Sequence, residues 1–321
     1  MTRAPAPSRT TGPHRVARIP YLNVAPFFLG WDDLPARSDG CWTTSEAPPR
    51  ALGEAAERGE LDAAIFAEAD LHRLRDDFAP LIPRPGEKQL GIANRDRVGS
   101  VFLFIRAPER AGEPTPVQGA PGRVLSAAEA TNLRGARILL TGESSTSVRL
   151  IRLLLEVRHG VRPGVWELAD LIAPISLNPA RSHRPSAPPS LPADVQAALV
   201  IGDTAIRWAR RAPADFAIGM DLAAAWHEWT GLPFVFARWG VRRNVPAPAR
   251  AWLARYVEAS LVEAEASLET VAQGQAPELG PPGELAAYLS GFTYRLGPVE
   301  LAGAKRFHAL LAEHGITAPP G

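Results

Sequence analysis

The sequence has a single cysteine, Cys41, among its 321 residues. One thiol cannot form an intramolecular disulfide, and it excludes the zinc and iron–sulfur sites that several cysteines build. The seven histidines are scattered, with no pair at the spacing of metal ligands. The sequence therefore offers no recognisable metal site.

Long apolar runs are also missing. No stretch approaches the roughly 18 apolar residues of a membrane-spanning helix. Residues 1–13 are rich in Pro, Ser, Thr and Arg and lack the apolar core of a secretory signal. We expect this segment to be a disordered tail, and we expect a cytoplasmic protein that has no membrane partner.

Charge of one sign is lacking as well. The 35 basic and 34 acidic side chains leave a net charge of +1, so no broad basic surface is available for nucleic acid. The signatures of a phosphate-binding loop, a serine-hydrolase elbow and a zinc protease are absent. The aromatic residues between 226 and 239 are expected in the core rather than in a base-stacking platform.

What is present is an alternation of strands and helices. The pattern predicts strands at 15–19, 61–66, 98–105, 137–140 and 197–201, and helices at 49–59, 70–75, 148–158 and 204–211. Helices are also expected around 253–268, 283–295 and 298–314, and a proline-rich insertion at 177–192. This alternation favours an α/β fold with largely parallel sheets, and the length suggests two lobes with a cleft between them.

Three polar segments follow predicted strands, where open α/β sheets bind ligands. Ser144, Ser145, Thr146 and Ser147 precede a helix, whose free N–H groups and positive dipole end suit a carboxylate or phosphate. Simple helix capping is the alternative, although four hydroxyls exceed what one cap requires.

Gly202 and Asp203 form the second segment, and a carboxylate there can hold a substrate hydroxyl or cap the helix that follows. Asn23 lies in the third segment, a loop flanked by prolines. Its amide can donate and accept hydrogen bonds with a ligand, or it can be an ordinary turn asparagine.

Several motifs together resemble the chorismate dehydratases of the futalosine route to menaquinone. The matching segments, in family order, are IPYLNVAPF at 19–27, ELDAAI at 60–65, VGSVFLF at 98–104, SSTS at 144–147, LVIGDTA at 199–205, DLAAAW at 221–226 and TGLPFVFARW at 230–239. Pro20 and Val24 depart from the family, which carries Ser and Thr there.

The resemblance implies the bilobed fold of type 2 periplasmic binding proteins, with an interlobe cleft. Mapped onto this chain, one lobe comprises 14–104 and 240–321, and the other comprises 105–239. The implied reaction converts chorismate, a small dicarboxylate, to 3-[(1-carboxyvinyl)oxy]benzoate and water, without a metal or an organic cofactor.

The resemblance also suggests roles for individual residues. Asn23 is expected to orient the ring or the leaving hydroxyl, and Asp203 to transfer a proton or bind that hydroxyl. The expected substrate-binding residues are Tyr21, Ser100, Ser144, Ser145, Thr146, Ser147 and Gly202.

Two other functions stay open at this point. The sister dihydroxynaphthoate synthases resemble this chain in fold but carry S-P-C-P-N-D-T where it has Pro20 to Val24. A cytoplasmic protein that binds a small carboxylate without catalysis is compatible with the same fold.

Overall fold

A computed structural model describes residues 12–107, 122–171, 190–213, 215–275 and 279–316. Its strands, in chain order, are β1 (His14–Arg18), β2 (Trp42–Glu46), β3 (Ala63–Ala67), β4 (Phe78–Pro80), β5 (Gln89–Asn94), β6 (Val101–Arg106), β7 (Arg137–Thr141), β8 (Val165–Ala169), β9 (Val195–Ile201), β10 (Phe216–Asp221), β11 (Phe234–Arg242) and β12 (Thr293–Leu296). They form one sheet of seven strands and one of five.

The α-helices are α1 (Leu34–Arg37), α2 (Pro49–Glu57), α3 (Glu68–Arg73), α4 (Ala127–Thr131), α5 (Ser145–Arg152), α6 (Gly202–Arg210), α7 (Leu222–Thr230), α8 (Ala247–Ala266), α9 (Leu268–Gln275), α10 (Pro282–Ser290) and α11 (Pro298–Glu313). Short 3-10 helices cover Leu22–Phe27 and Trp31–Asp33, and α5 continues as a π-helical turn over Leu153–Arg158. No helix in these ranges is both long and apolar enough to cross a bilayer.

The two sheets mix parallel and antiparallel strands, so the expectation of largely parallel sheets was wrong. The first sheet has the order β12-β5-β11-β3-β1-β2, with β4 also paired to β11. Strand β11 is antiparallel to β3, β4 and β5, whereas β1 is parallel to β2 and β3. The second sheet, β10-β6-β9-β7-β8, likewise has β6 antiparallel to β9 and β10. Among the described strands, five of the six antiparallel pairs involve β6 or β11, the first strands after each crossing, and the sixth joins β12 to β5.

The chain changes sheets slightly earlier than the predicted lobe boundaries. Strand β6, which begins at Val101, lies in the second sheet, and β11, which begins at Phe234, lies in the first. The crossings therefore precede residues 101 and 234 rather than 105 and 240. The residue bounds predicted for the two lobes stay a prediction.

After β11, the described part of the chain contains one strand, β12, among its helices. The apolar stripe of the long helix is confirmed, because Leu253, Val257, Leu261 and Ala264 of α8 are all buried. Residues 293–295, expected at the end of a helix, instead form β12, which pairs with β5. Pairing across the sheet outweighs the local helical pattern here.

The crossing into the second sheet is held by one buried carboxylate. Asp221 is fully buried and caps α7 by accepting the N–H groups of Ala223 and Ala224 at 2.9 and 3.1 Å. It also accepts from Val98 and Gly99, each at 3.0 Å, just before β6. Burial raises the pKa of Asp221, although these four N–H groups oppose the shift.

The aromatic residues expected in the core are mostly there. Trp226, Phe234 and Trp239 are fully buried, and the rings of Trp226 and Phe234 pack edge to face at 5.4 Å. Phe236, whose ring centroid lies 4.7 Å from that of Phe234, lines a cavity instead. Most of the predicted tail and of the insertion at 177–192, together with 108–121, lies outside the described residues.

Candidate functional site

A cavity of about 480 Å³, partly open to solvent, lies where the two sheets meet. Both sheets contribute to its walls, through the loop after β1, the starts of α2, α5 and α6, and strands β5, β6 and β11. The lining residues are Ile19, Tyr21, Asn23, Val24, Pro49, Ala67, Ile92, Val101, Ser144, Ser147, Ile201, Gly202, Phe236 and Ala237. Most are apolar, and a few polar groups interrupt them, as is typical of sites for small molecules.

The cavity brings together about half of the residues predicted for the site. Tyr21, Asn23, Ser144, Ser147 and Gly202 line it. Four other predicted residues do not: Ser100, Ser145, Thr146 and Asp203. The roles of all nine stay predictions, but only the first five are placed to touch a ligand in this cavity.

Asn23 presents an unsatisfied acceptor at the cavity. Its side-chain Oδ1 is buried and makes no hydrogen bond within the described part of the chain. Its main-chain carbonyl accepts a 3.3 Å hydrogen bond from the hydroxyl of Tyr294. Because a buried acceptor without a donor is destabilising, this oxygen suits a donor that a ligand supplies.

The run of four hydroxyls divides between two tasks. Ser144 is the N-cap of α5, and its Oγ accepts the N–H of Ser147 at 3.0 Å and donates to the Oγ of Ser147 at 3.1 Å. The helix therefore begins at Ser145, three residues earlier than predicted, and capping by Ser144 is confirmed. Both of these hydroxyls line the cavity.

The other two hydroxyls of the run form hydrogen bonds with helix α3, which follows β3 of the first sheet. Ser145 donates to the buried carboxylate of Asp70 at 2.6 Å, and Thr146 accepts the N–H of Ala69 at 2.9 Å. Thr146 thus satisfies a donor at the start of a helix that lacks a side-chain cap of its own. These contacts join elements of the two sheets and occupy both hydroxyls.

Asp203 and Ser100 are also engaged outside the cavity. Oδ1 of Asp203 accepts the N–H of Leu22 at 3.0 Å, across 181 positions of sequence. It does not cap α6, whose N-cap is Ile201. Ser100 is fully buried and accepts the hydroxyl of Tyr288 at 2.8 Å, so it lies under the site rather than in it.

Gly202 is required by a close approach. Its φ is +60°, which is unfavourable for other residues, and a Cβ there would stand 3.0 Å from two ring carbons of Tyr21. The absence of a side chain lets the ring of Tyr21 pack directly on the start of α6. This contact shapes one wall of the cavity.

The electrostatics of the cavity come from helix ends rather than from side-chain cations. Among the described residues that line it, none is charged. Pro49 and Gly202 are the first residues of α2 and α6, and Ser144 caps α5, so three helices of eight or nine residues begin at its walls. The positive ends of their dipoles favour an anion.

Sequence reasoning missed Glu143 and Tyr294. Burial raises the pKa of Glu143, and the negative charge of Asp170 raises it further. The pKa of Tyr21 is also raised, mainly by burial and secondly by the nearby Glu143. The hydroxyl of Tyr21 is buried without a hydrogen bond of normal geometry to any described residue. The position of Glu143 directly before the hydroxyl run was a usable signal, whereas nothing local connects Tyr294 with Asn23.

The chain is similar in sequence to known proteins. The model of a family described as menaquinone biosynthesis matches residues 14–313. The chorismate dehydratase of Thermus thermophilus is 32% identical over 187 residues, which cover 54% of this chain and 61% of that protein. The match thus spans less than two thirds of that relative's length.

Solved structures agree on the fold. Protein AF1704 of Archaeoglobus fulgidus is similar with a TM-score of 0.65 at 15% identity, over 94% of this chain and 97% of that one. The alkanesulfonate-binding protein SsuA of Xanthomonas axonopodis pv. citri, bound to MOPS, is similar with a TM-score of 0.58 at 13% identity, over 98% of this chain and 96% of that one. These likenesses confirm the bilobed binding-protein fold expected from the sequence and carry no statement on activity.

Proposed function

The chain belongs to the menaquinone biosynthesis family, and from that premise we propose that it is a chorismate dehydratase. The reaction would remove water from chorismate and leave 3-[(1-carboxyvinyl)oxy]benzoate, which makes the protein a carbon–oxygen lyase. We place it in the futalosine route and in the cytoplasm as part of the same proposal, because a biosynthetic enzyme meets its substrate there.

The observation that carries the proposal is the unsatisfied Oδ1 of Asn23, a residue that lines a cavity surrounded by helix starts. Chorismate has a ring hydroxyl that can donate to this oxygen and two carboxylates that suit the positive helix ends. The remaining walls, among them Ile92, Val101 and Phe236, are apolar and suit the face of a six-membered ring.

We assign carboxylate binding to the beginning of α5. Ser144 and Ser147 place two hydroxyls at the cavity, next to the first N–H groups of the helix. Such neutral, preorganised donors can hold an anion without a paired cation. Ser145, Thr146 and Ser100 would act on the substrate only indirectly, since their hydroxyls bind Asp70, Ala69 and Tyr288.

The chemistry needs little beyond orientation and a proton path. The C3–H bond breaks, its electron pair forms the new ring double bond, the C4–O bond breaks, and the hydroxide leaves as water with one proton. Charge that develops on C3 spreads through the conjugated double bond to the ring carboxylate. Helix ends aimed at that carboxylate would stabilise the transition state more than the ground state. Aromatisation makes the overall step strongly favourable.

Val24 gives the site an apolar wall where the family carries a hydroxyl. It is buried and lines the cavity beside Asn23, whereas Pro20 is exposed and does not line it. The departure at 24 therefore touches the site directly, and the one at 20 does not. We propose that Asn23 supplies the polar contact that position 24 lacks in this chain.

Incubating the purified protein with chorismate tests the proposal. We expect the diene absorbance to disappear as an aromatic product with one water fewer accumulates, measured by ultraviolet spectroscopy and mass spectrometry. Heat-denatured protein is the control for the spontaneous decay of chorismate. Tight binding with unchanged chorismate would instead show a non-catalytic binding protein. The absence of both binding and turnover would refute the proposal.

A further inference from the structure

The loop that carries Asn23 is held from both sheets at once. On one side, Oδ1 of Asp203 in α6 accepts the N–H of Leu22 at 3.0 Å. Helix α6 follows β9 of the second sheet, whereas Leu22 follows β1 of the first. This hydrogen bond therefore spans the junction between the two sheets.

On the other side, the loop is held by β12 of the first sheet. The hydroxyl of Tyr294 donates to the carbonyl of Asn23 at 3.3 Å and approaches the carbonyl of Leu289 at 3.4 Å. Tyr294 is buried, and its ring packs edge to face against Phe27 with centroids 5.3 Å apart. It is thus a rigid support that belongs to the same sheet as the loop.

The two supports differ in what a movement of the sheets would do to them. The contact of Tyr294 is internal to the first sheet, so it survives if the sheets separate. The contact of Asp203 exists only when the sheets stand as they do here. The N–H that it holds belongs to Leu22, directly before Asn23, whose Oδ1 has no hydrogen-bond partner among the described residues.

We propose that Asp203 is a positioning residue, which draws Leu22 and hence the amide of Asn23 into place as the sheets close on the substrate. This inference rests on the proposed dehydratase function. Asp203 does not line the cavity, whereas its neighbour Gly202 does, with the ring of Tyr21 packed on it. Its carboxylate is therefore placed to hold backbone and not to exchange protons with the ring.

Two substitutions separate positioning from proton transfer. Asp203→Asn keeps an oxygen that can accept the N–H of Leu22 but cannot act as a general acid or base, whereas Asp203→Ala removes the acceptor. We expect Asp203→Ala to lower kcat about 30–100-fold with a smaller change in KM, since misplacement by about 1 Å can cost that much. We expect Asp203→Asn to recover most of this loss. Asp194→Ala, which removes an exposed carboxylate that pairs with Arg137, is the control.

Amide hydrogen exchange at Leu22 provides a readout that does not depend on turnover. Exchange should accelerate in Asp203→Ala and stay near wild type in Asp203→Asn and Asp194→Ala. If Asp203→Asn were as inactive as Asp203→Ala while Leu22 stayed protected, the carboxylate would act in proton transfer and the inference would be overturned. Unchanged kcat in Asp203→Ala would overturn it too.

The same measurements distinguish this inference from the proposed function. If the wild-type protein fails to convert chorismate, the dehydratase proposal fails, and exchange at Leu22 still reports whether Asp203 holds the loop. Tyr294→Phe adds a second check in case Asp203→Ala unfolds. We expect it to lower kcat about 3–10-fold and KM little, because the carbonyl of Asn23 loses its donor while the ring keeps its packing. No change in kcat would contradict a role for loop position.

Discussion

Replacing Asn23 by alanine should change stability and turnover in opposite directions. The Oδ1 of Asn23 is buried without a donor among the described residues, and such an atom destabilises a protein by about 1–3 kcal/mol. Asn23→Ala removes that penalty together with some packing of the amide. We therefore expect the free energy of unfolding to stay constant or to rise by about 1 kcal/mol, which corresponds to about 2 °C in Tm for a chain of this size.

Turnover should fall, because the same oxygen is the proposed acceptor for the substrate hydroxyl. Loss of one such contact in a site shielded from water should lower kcat/KM about 10–100-fold, equal to about 1.4–2.7 kcal/mol of transition-state stabilisation. Urea unfolding followed by circular dichroism gives the first quantity, and initial rates with chorismate give the second.

A control substitution removes the general effect of losing an asparagine. Asn132 is exposed at the end of α4, so Asn132→Ala should leave kcat/KM unchanged and shift stability by less than about 0.5 kcal/mol. The reasoning is refuted if Asn23→Ala destabilises the protein by more than 1 kcal/mol, because the oxygen would then have a partner. Full activity in Asn23→Ala would refute its proposed role.

Three further predictions concern the surroundings of the site. Asp221→Asn should lower the free energy of unfolding by about 2–3 kcal/mol in urea, because an amide N–H₂ would face the N–H groups of Val98 and Gly99; a loss below 0.5 kcal/mol would contradict this. Ser145→Ala should lower the free energy of unfolding by about 1 kcal/mol, because Ser145 binds Asp70. In calorimetric titration it should weaken chorismate binding less than Ser147→Ala does, because Ser147 lines the cavity. The reverse order of affinities would contradict the assignment of Ser147, and not Ser145, to the ligand. The pKa of Glu143 is raised in the folded protein, so the stability that its protonation contributes is present below its ordinary pKa of 4.5 and is lost as pH rises through the raised pKa. In Glu143→Gln, the free energy of unfolding should therefore decline less between about pH 4 and 8. A decline as steep as that of the wild type would contradict this prediction.

The sequence predicted β1, β3, β6, β7 and β9, where the signal is local, but not the other seven described strands. Runs such as that of β3, whose five residues are all buried, identify themselves by composition, and Ser144 identified a helix start by its capping chemistry. The loop around Asn23 could be singled out for the same reason, since two prolines flank it. Three of the predicted site segments meet in one cavity because each follows a strand and precedes a helix at the junction of the sheets.

Several misses involve partners that lie far apart in the chain. From the sequence, the hydroxyls of Ser145 and Thr146 could not be distinguished from those of Ser144 and Ser147, because sequence does not show which side of a helix packs against the other lobe. Because successive helix positions point in different directions, Ser145 and Thr146 contact α3, whereas Ser144 and Ser147 line the cavity. In the same way, residues 293–295 look helical until β5 offers them a pairing edge.

The sequence alone thus determined five of the twelve described strands and most of the longer helices, that they form an α/β protein, and which short polar segments meet at the cavity. These properties depend on residues close together in the chain, where periodicity and capping act. Only the tertiary structure decided that β11 lies within the first sheet, that Asp203 holds Leu22 and that Tyr294 holds Asn23, partners 181 and 271 positions apart. Such contacts follow from the order of strands and the approach of the two sheets, which no local pattern encodes.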